Sequence, residues 1–438
     1  MIESAVLLVD NRGRDLDVAS LLAFQLRKRG IECYLEPLEA FRAAVAHKPG
    51  IIVFNHLFAS HLAKWSNRLN DLGVLTAVLT NEGLANEAEL RYQSGAKHSY
   101  GHIDLFFCWN ERHKHIMLDV GAYPEAKSEV VGVPRFDFYF KPWSRIIESK
   151  NSRQRNKQRV LFCTNTGFAQ FRGAPKDSVQ RQFAQWSSNI DGYNDIWQII
   201  ELDWHARERL LEFAGALASN QKFEVILRPH PLENPSFYLD WASRNPRVRV
   251  DSTTNISGLI MDADMVISAI ECTTGLEGWI AKKPVIGLSV GPETDRSSGH
   301  VICSDPSIIS ELAENELADS QDYLRETREA ILQDWCGFSD GRASDRIADK
   351  IATALFEKSP ADWSKLDLSD HRRAARLRIM RAIGEAYHYS PLLNLKHKFS
   401  PEKYRVKLTA YRKTIKPNDV LRAMKRYSFI DASPGGGE

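Results

Sequence analysis

The sequence predicts an α/β protein made of two doubly wound domains followed by a helical, basic C-terminal region. Three observations carry this reading. Short apolar runs rich in Val, Ile, Leu and Phe alternate with stretches that repeat apolar residues at helical spacing, the pattern of parallel strands joined by crossover helices. The alternation breaks off in a polar, Pro-containing stretch at 141–158 and then starts again. At 438 residues the chain is also longer than one ordinary hydrophobic core organises.

The first domain is placed at 1–140. Ala5 to Val9 opens its sheet, a loop runs from Asp10 to Asp17, and a helix is expected from Val18 to Arg29 with Gly30 as its stop. Ile31 to Leu35 reads as the second strand, Phe41 to His47 as a helix and Gly50 to Asn55 as the third strand. His61 to Leu72 is helical and ended by Gly73. Val74 to Thr80 is a fourth strand that stops at the polar triplet Asn81, Glu82 and Gly83. Asp104 to Trp109, a helix from Glu111 to Val120, and Glu129 to Asp137 continue the alternation. No GxGxxG follows the first strand, which weighs against a nicotinamide or flavin dehydrogenase.

A linker is expected at 141–158 and the second domain at 159–357. Arg159 to Cys163 is a strand ending in Thr164, Asn165, Thr166 and Gly167, a small-residue loop that lets a ligand approach the backbone. Residues 168–193 read as an irregular or helical insert, and Asp195 to Ser219 as a long helix. The apolar run from Phe223 stops at Arg228, Pro229, His230 and Pro231. It reads as a buried strand whose last side chains leave the carboxyl edge, where open α/β sheets bind ligands. Arg247 to Val250 is a short strand and Asn255 to Met261 a short helix. Met265 to Ser268 is a strand, Cys272 to Gly275 opens a helix, and Lys283 to Gly287 leads into the next strand. Helices are expected at 319–333, 344–356 and 370–387, the last of them placed to pack back onto the first domain. The basic helical region covers 358–438, and its tail from Ser433 is expected to be disordered. Two such Rossmann-like domains facing a cleft make the GT-B architecture.

Hydrophobic residues make up 43% of the chain and charged residues 26%, the balance of a soluble globular protein. No apolar run reaches the ~18 residues that would span a bilayer. The N-terminus enters a strand without a basic stretch, so no signal peptide is expected. Six cysteines without CxxC spacing suggest reduced thiols in the cytoplasm and no metal site. The net charge of +2 hides an asymmetry: from His371 to Glu438 there are 16 Lys and Arg against five acids. That region suits anionic lipid head groups, which keeps the inner face of the membrane open as a location, or a phosphate-bearing acceptor. Nucleic acid is not expected, since no recognition motif accompanies the charge.

Thr273 and Thr274 place hydroxyls and unpaired amides at a helix start, where the macrodipole is positive and an anion is stabilised. Each motif alone has a plain reading, a helix N-cap for the threonines and a strand-end turn for His230 and Pro231. Their recurrence in successive β/α units of one sheet favours a nucleotide-sugar site. Arg228, His230, Asn165, Thr166, Ser268, Thr273 and Thr274 form the candidate donor-binding set. Glu277, one turn further in, would reach a ribose hydroxyl or cap the opening turn. Arg12 and Arg14 are candidates to hold an acceptor or a sugar carboxylate. Arg135 is a third, with a fixed ion pair to Asp137 as its plain alternative. Asp262 and Asp264 precede a buried strand and read as turn acids rather than metal ligands.

Glu82 with Gly83, His230 with Pro231, and the Thr273–Thr274 helix start together resemble bacterial GT-B sialyltransferases and capsular β-Kdo transferases. Those enzymes take a 2-keto sugar acid from its CMP donor. A looser likeness over residues 5–290, including Gly132 to Asp137 and Arg228 to Pro231, is similar to bacterial surface-carbohydrate biosynthesis proteins. The second-domain pattern also resembles glycerophosphate polymerases that use CDP-glycerol. The resemblance implies Glu82 as the catalytic acid, His230 at the donor phosphate, and Thr273 and Thr274 as hydroxyl ligands of that phosphate. It further implies a metal-independent glycosyltransferase with no cofactor beyond its CMP-activated donor, acting on a surface polysaccharide or lipid-linked glycan, with Kdo the leading sugar. One position departs: the families show two acids before the glycine, and here the first is Asn81.

Glu82 would act as general base for the acceptor hydroxyl, giving inversion, or as covalent nucleophile, giving retention. The β-Kdo resemblance favours retention. The plain alternative for Glu82 is a first-turn acid favoured by a helix dipole. Two other classes remain open, a phosphotransferase using CDP-glycerol and a non-catalytic nucleotide- or glycan-binding subunit, which Asn81 permits.

Overall fold

The computed structural model describes residues 3–57, 59–80, 84, 87–94, 101–121, 124–147, 156–190, 193–291, 294–319, 321–388 and 415–432. Two compact units emerge, one from residues 1–137 with 340–438 and the other from 138–339.

The first unit is built on six parallel strands: β1 (Ser4–Val9), β2 (Glu32–Pro37), β3 (Ile51–Phe54), β4 (Leu75–Leu79), β5 (Leu105–Cys108) and β6 (Ser128–Val130). Their order is β2-β1-β3-β4-β5-β6. Most are buried on both faces, which is why they read as near-continuous apolar runs. The helices are α1 (Arg12–Lys28), α2 (Ser60–Asp71), α3 (Glu87–Ser94) and α4 (Glu111–Asp119), while Leu38–His47 is a 3-10 segment. The first helix begins six positions before the expected Val18. Asn11 caps it by accepting from the Gly13 N–H at 2.9 Å, and Asp15 accepts from the Asn11 N–H at 2.9 Å. Most of the expected loop at 10–17 is therefore helix, and Arg12 and Arg14 stand on its first turn.

The second unit repeats the plan with β7 (Gln158–Cys163), β8 (Phe223–Arg228), β9 (Val248–Val250), β10 (Met265–Ala269), β11 (Val285–Leu288) and β12 (Val301–Cys303), all parallel in the order β12-β11-β10-β7-β8-β9. Its helices are α5 (Lys176–Asn189), α6 (Ile196–Ser219), α7 (Pro235–Ser243), α8 (Ile256–Asp262), α9 (Thr273–Ile280), α10 (Ile309–Ala318) and α11 (Arg325–Cys336). The insert at 168–193 folds around its own aromatic cluster, with Phe183 at 5.5 Å from Phe168 and 5.1 Å from Phe171. Asp264 accepts from the Arg159 N–H at 2.7 Å, and the Arg159 side chain pairs with Asp262 and with Glu224. Asp262, the last residue of α8, and Asp264, just before β10, thus brace the amino edge of this sheet.

The chain then returns to the first unit with α12 (Ala343–Glu357), α13 (Leu368–His388) and α14 (Pro417–Ala432). The second unit was expected to run to 357, but α12 belongs with the first. Ile347, Ala348 and Ile351 on its inner face are fully buried. Asp137 accepts from the Ala343 and Ser344 N–H groups at 2.9 and 2.8 Å, and Arg29, just after α1, pairs with Asp345 and Asp349 at 2.6 and 2.8 Å. Gly50 of the first unit lies against α12, and a Cβ there would stand 2.6 Å from the ends of the Leu355 and Glu3 side chains, which would have to shift. Ala374 of α13 joins the core of Phe41, Trp65 and Leu72. The tail from Ser433, residues 148–155 of the expected linker and residues 389–414 lie outside the described residues.

All six cysteines are buried thiols. Among the described residues no helix is long and apolar enough to cross a membrane.

Candidate active site

In the second unit the strand order reverses between β7 and β10. From β7 the chain builds outward through β8 and β9, then crosses back to start β10 on the other side. Loops leaving two such strands diverge and open a crevice at their carboxyl ends. The segments that border it are 164–167 after β7, 270–272 leading into α9, and the end of β8 at Arg228 to His230. Motifs far apart in sequence are thereby placed on three adjacent strand ends.

Glu233 ties the first and third of these segments together. Only 6% exposed, it accepts from the Thr166 N–H at 2.5 Å and the Thr166 hydroxyl at 2.9 Å through one oxygen. Through the other it accepts from the Thr164 hydroxyl and from the His230 N–H at 3.1 Å. The hydroxyls of Thr166 and Tyr238 lie 3.4 Å apart, and burial raises the Tyr238 phenol. Thr166, expected at the donor, thus has its hydroxyl and its N–H engaged by Glu233. Half-buried Asn165 between the two threonines is the side chain of this loop left toward solvent.

His230 is half-buried, and its Nδ1 accepts from the Leu232 N–H at 3.3 Å. That bond assigns the neutral ring's proton to Nε2, which becomes the donor. Arg228 donates from Nη1 to the Asp251 carbonyl at 3.1 Å, and burial lowers its pKa.

On the opposite side, α9 begins with Thr273 and Thr274, both half-buried, after Cys272 in the capping position. The Thr274 hydroxyl donates to the Cys272 sulfur at 3.0 Å. Ser268 is fully buried and donates to the Ala269 carbonyl at 3.1 Å. Glu277 is 3% exposed and accepts from the Tyr139 hydroxyl at 2.6 Å, so a protein hydroxyl occupies the carboxylate expected to reach a ribose. Gly275 has a packing reason. A Cβ there would come within 2.8 Å of the buried His300 ring, whose pKa burial pushes down to about 4.

Two acids escaped the sequence reading along with Glu233. Asp203 on α6 accepts from the Phe168 N–H at 2.8 Å, and burial pushes its pKa up to about 6, with Glu233 and Glu271 adding like charge. Glu271 is raised by burial as well, against the opposing charge of Arg296, which donates to the Glu271 carbonyl at 2.5 Å. Neither stands in a pattern that marks it: one is a polar position on a long helix, the other a turn residue.

In the first unit the order reverses between β1 and β3. Arg14 pairs with Asp10 at 3.0 Å and Asp15 at 2.6 Å, and Arg12 pairs with Asp419 of α14 at 2.7 Å. Both arginines expected to hold a substrate have carboxylates of this chain as neighbours. His56, just after β3, has its pKa pushed down to about 4 by burial. The Arg135 guanidinium lies over Trp109 and Phe136 at 5.5 and 5.1 Å, while the Asp137 carboxylate caps α12. Asn81, Glu82 and Gly83 lie outside the described residues.

The part of the expected set that stands on these adjacent strand ends and keeps some exposure is therefore Asn165, His230, Thr273 and Thr274, with Arg228 at the end of β8. Ser268, Thr166 and Glu277 support it from within. Side-chain hydrogen-bond donors and a helix N-terminus at this position suit a phosphate.

No protein-family model and no curated protein sequence matches the chain. Solved structures match it. A variant of the wall teichoic acid polymerase TagF soaked with CDPG aligns at 14% identity and a TM-score of 0.52, covering 82% of this chain and 90% of that one. TagF itself aligns at 13% identity and 0.52, over 81% and 90%. A UDP-N-acetylglucosamine 2-epimerase aligns at 13% identity and 0.50, over 82% and 97%. The likeness is one of fold: two successive α/β units, each on a parallel sheet, as in GT-B proteins.

Proposed function

We propose that the chain is a glycosyltransferase that takes a 2-keto sugar acid, Kdo first among them, from its CMP donor and passes it to a growing surface polysaccharide or lipid-linked glycan. The observation that supports this is the reversal of strand order at β7 and β10, with Asn165, His230, Thr273 and Thr274 on the adjoining strand ends. The Nε2–H of His230 and the start of α9 both favour a negatively charged ligand.

In this reading the departing CMP phosphate accepts hydrogen bonds from His230 and from the α9 start as its charge develops, an effect worth about 3 kcal/mol in the transition state. Glu82 is the carboxylate we assign to the reacting carbon. Its oxygen bonds to the anomeric carbon while the bond from that carbon to the phosphate oxygen breaks, and the electron pair leaves with CMP. An acceptor hydroxyl then attacks the same carbon, gives up its proton and releases the carboxylate, so configuration is retained. Asn81 leaves Glu82 as the acid of its pair.

The test is to incubate the purified chain with CMP-Kdo, CMP-sialate and CDP-glycerol and to follow nucleotide release and binding. Release from CMP-Kdo is expected. Turnover of CDP-glycerol instead would reassign the site to glycerophosphate transfer, and neither turnover nor binding of any donor would leave a non-catalytic subunit.

A further inference from the structure

The helix α14 rests on the first unit by one face. Ala423, Met424, Tyr427 and Ile430 are buried, with the Tyr427 ring 6.1 Å from Phe24 of α1 and its hydroxyl donating to the Asp17 carbonyl at 2.9 Å. Opposite them, at the i, i+4, i+8 spacing of one helix face, stand Leu421, Lys425 and Phe429. Leu421 is 54% and Phe429 75% exposed. Arg422 and Arg426 flank this line and are exposed too. Asp419, the acid of the first turn, is turned to Arg12 with its side chain 9% exposed.

We propose that this outward face of α14 docks the protein on an anionic lipid surface. A phenylalanine and a leucine set among three cations match the boundary between head groups and acyl chains. The apolar groups sink below the phosphates, and the long basic side chains reach back to them. Charge decides between this occupant and a second copy of the chain. A two-fold contact through this face would bring Arg422, Lys425 and Arg426 against themselves, whereas an anionic bilayer is complementary to all three. The balance of 16 basic to five acidic residues from His371 onward acts in the same direction. The inference does not depend on which donor the protein uses.

The full chain is to be sedimented with phosphatidylcholine vesicles and with vesicles that also contain phosphatidylglycerol. Binding is expected to the second kind only and to weaken as salt is raised. Arg422→Ala and Lys425→Ala should each weaken it about five-fold. The pair Leu421→Ala and Phe429→Ala should weaken it about ten-fold. Melting temperatures should not move, because these side chains are exposed. The proposal is overturned if anionic vesicles do not bind the protein, if the combined variant binds them undiminished, or if binding is indifferent to lipid charge. It also falls if the variants instead abolish a dimer seen in solution, which would give the face to a second copy.

Discussion

The carboxylate of Glu233 accepts a hydrogen bond from the backbone N–H of His230 at 3.1 Å, and with its other oxygen it holds both polar groups of Thr166. One buried acid therefore sets the turn that carries the imidazole and the loop that carries Asn165. Glu233→Gln keeps the shape but puts an amide NH2 where one set of donors needs an acceptor. We expect a raised donor KM with a smaller change in kcat and a modest loss of Tm. Glu233→Ala leaves the Thr166 N–H buried without an acceptor, while the His230 N–H keeps the Thr164 hydroxyl, and should cost about 1 to 3 kcal/mol of stability. An unchanged KM in the glutamine variant would remove Glu233 from a positioning role.

His230→Ala is expected to lower both CMP affinity and turnover, by about 10- to 100-fold, since the ring's Nε2–H is the donor assigned to the phosphate. Isothermal titration with CMP measures the first and donor turnover the second. Unaltered CMP affinity would take His230 out of the donor site.

Glu82→Gln should abolish transfer and leave CMP binding nearly intact, because the assigned role is at the reacting carbon and not at the nucleotide. Weak CMP binding combined with normal turnover would contradict that role.

Asp203 and Asp137 both have pKa values pushed up from 3.8 to about 6, chiefly by burial. A carboxyl raised in this way holds its proton more tightly in the folded chain than in the unfolded one. Its contribution therefore favours the fold at low pH and is lost as the pH climbs from about 4 to about 6. Asp203→Asn keeps an acceptor for the Phe168 N–H without the charge. It should be more stable than the parent at pH 7 by on the order of 1 to 2 kcal/mol, with the difference shrinking toward pH 4. Equal denaturation midpoints at both pH values would refute this.

Asp137 caps α12 from outside that helix, through the Ala343 and Ser344 N–H groups. Asp137→Ala should cost about 1 to 2 kcal/mol, and Asp137→Asn less. The loss should appear as faster amide exchange in α12.

The strands were legible where apolar runs were long enough to stand out, as at Val160 to Cys163, Phe223 to Leu227 and Met265 to Ser268. β12 was not, since its three residues lie between polar turns, and neither was α10. The start of α1 was missed because Gly13 and the charges around it resemble a loop, while the cap by Asn11 and Asp15 outweighs them. Thr273 and Thr274 were legible as a helix start and His230 as a strand-end polar residue. Glu233 and Asp203 were not, because a carboxylate that accepts from a neighbouring segment carries no mark in its own segment.

By itself, the sequence determined the alternation of strand and helix, the two repeats of it and the strand ends that carry polar groups. These follow from hydrophobic period and turn chemistry, which act over a few residues. Only the tertiary structure decided that β10 lies beside β7, that Glu233 serves His230 and Thr166 together, and that α12 returns to the first unit. Those choices depend on which buried faces find each other across long stretches of chain, and no local pattern encodes the partner.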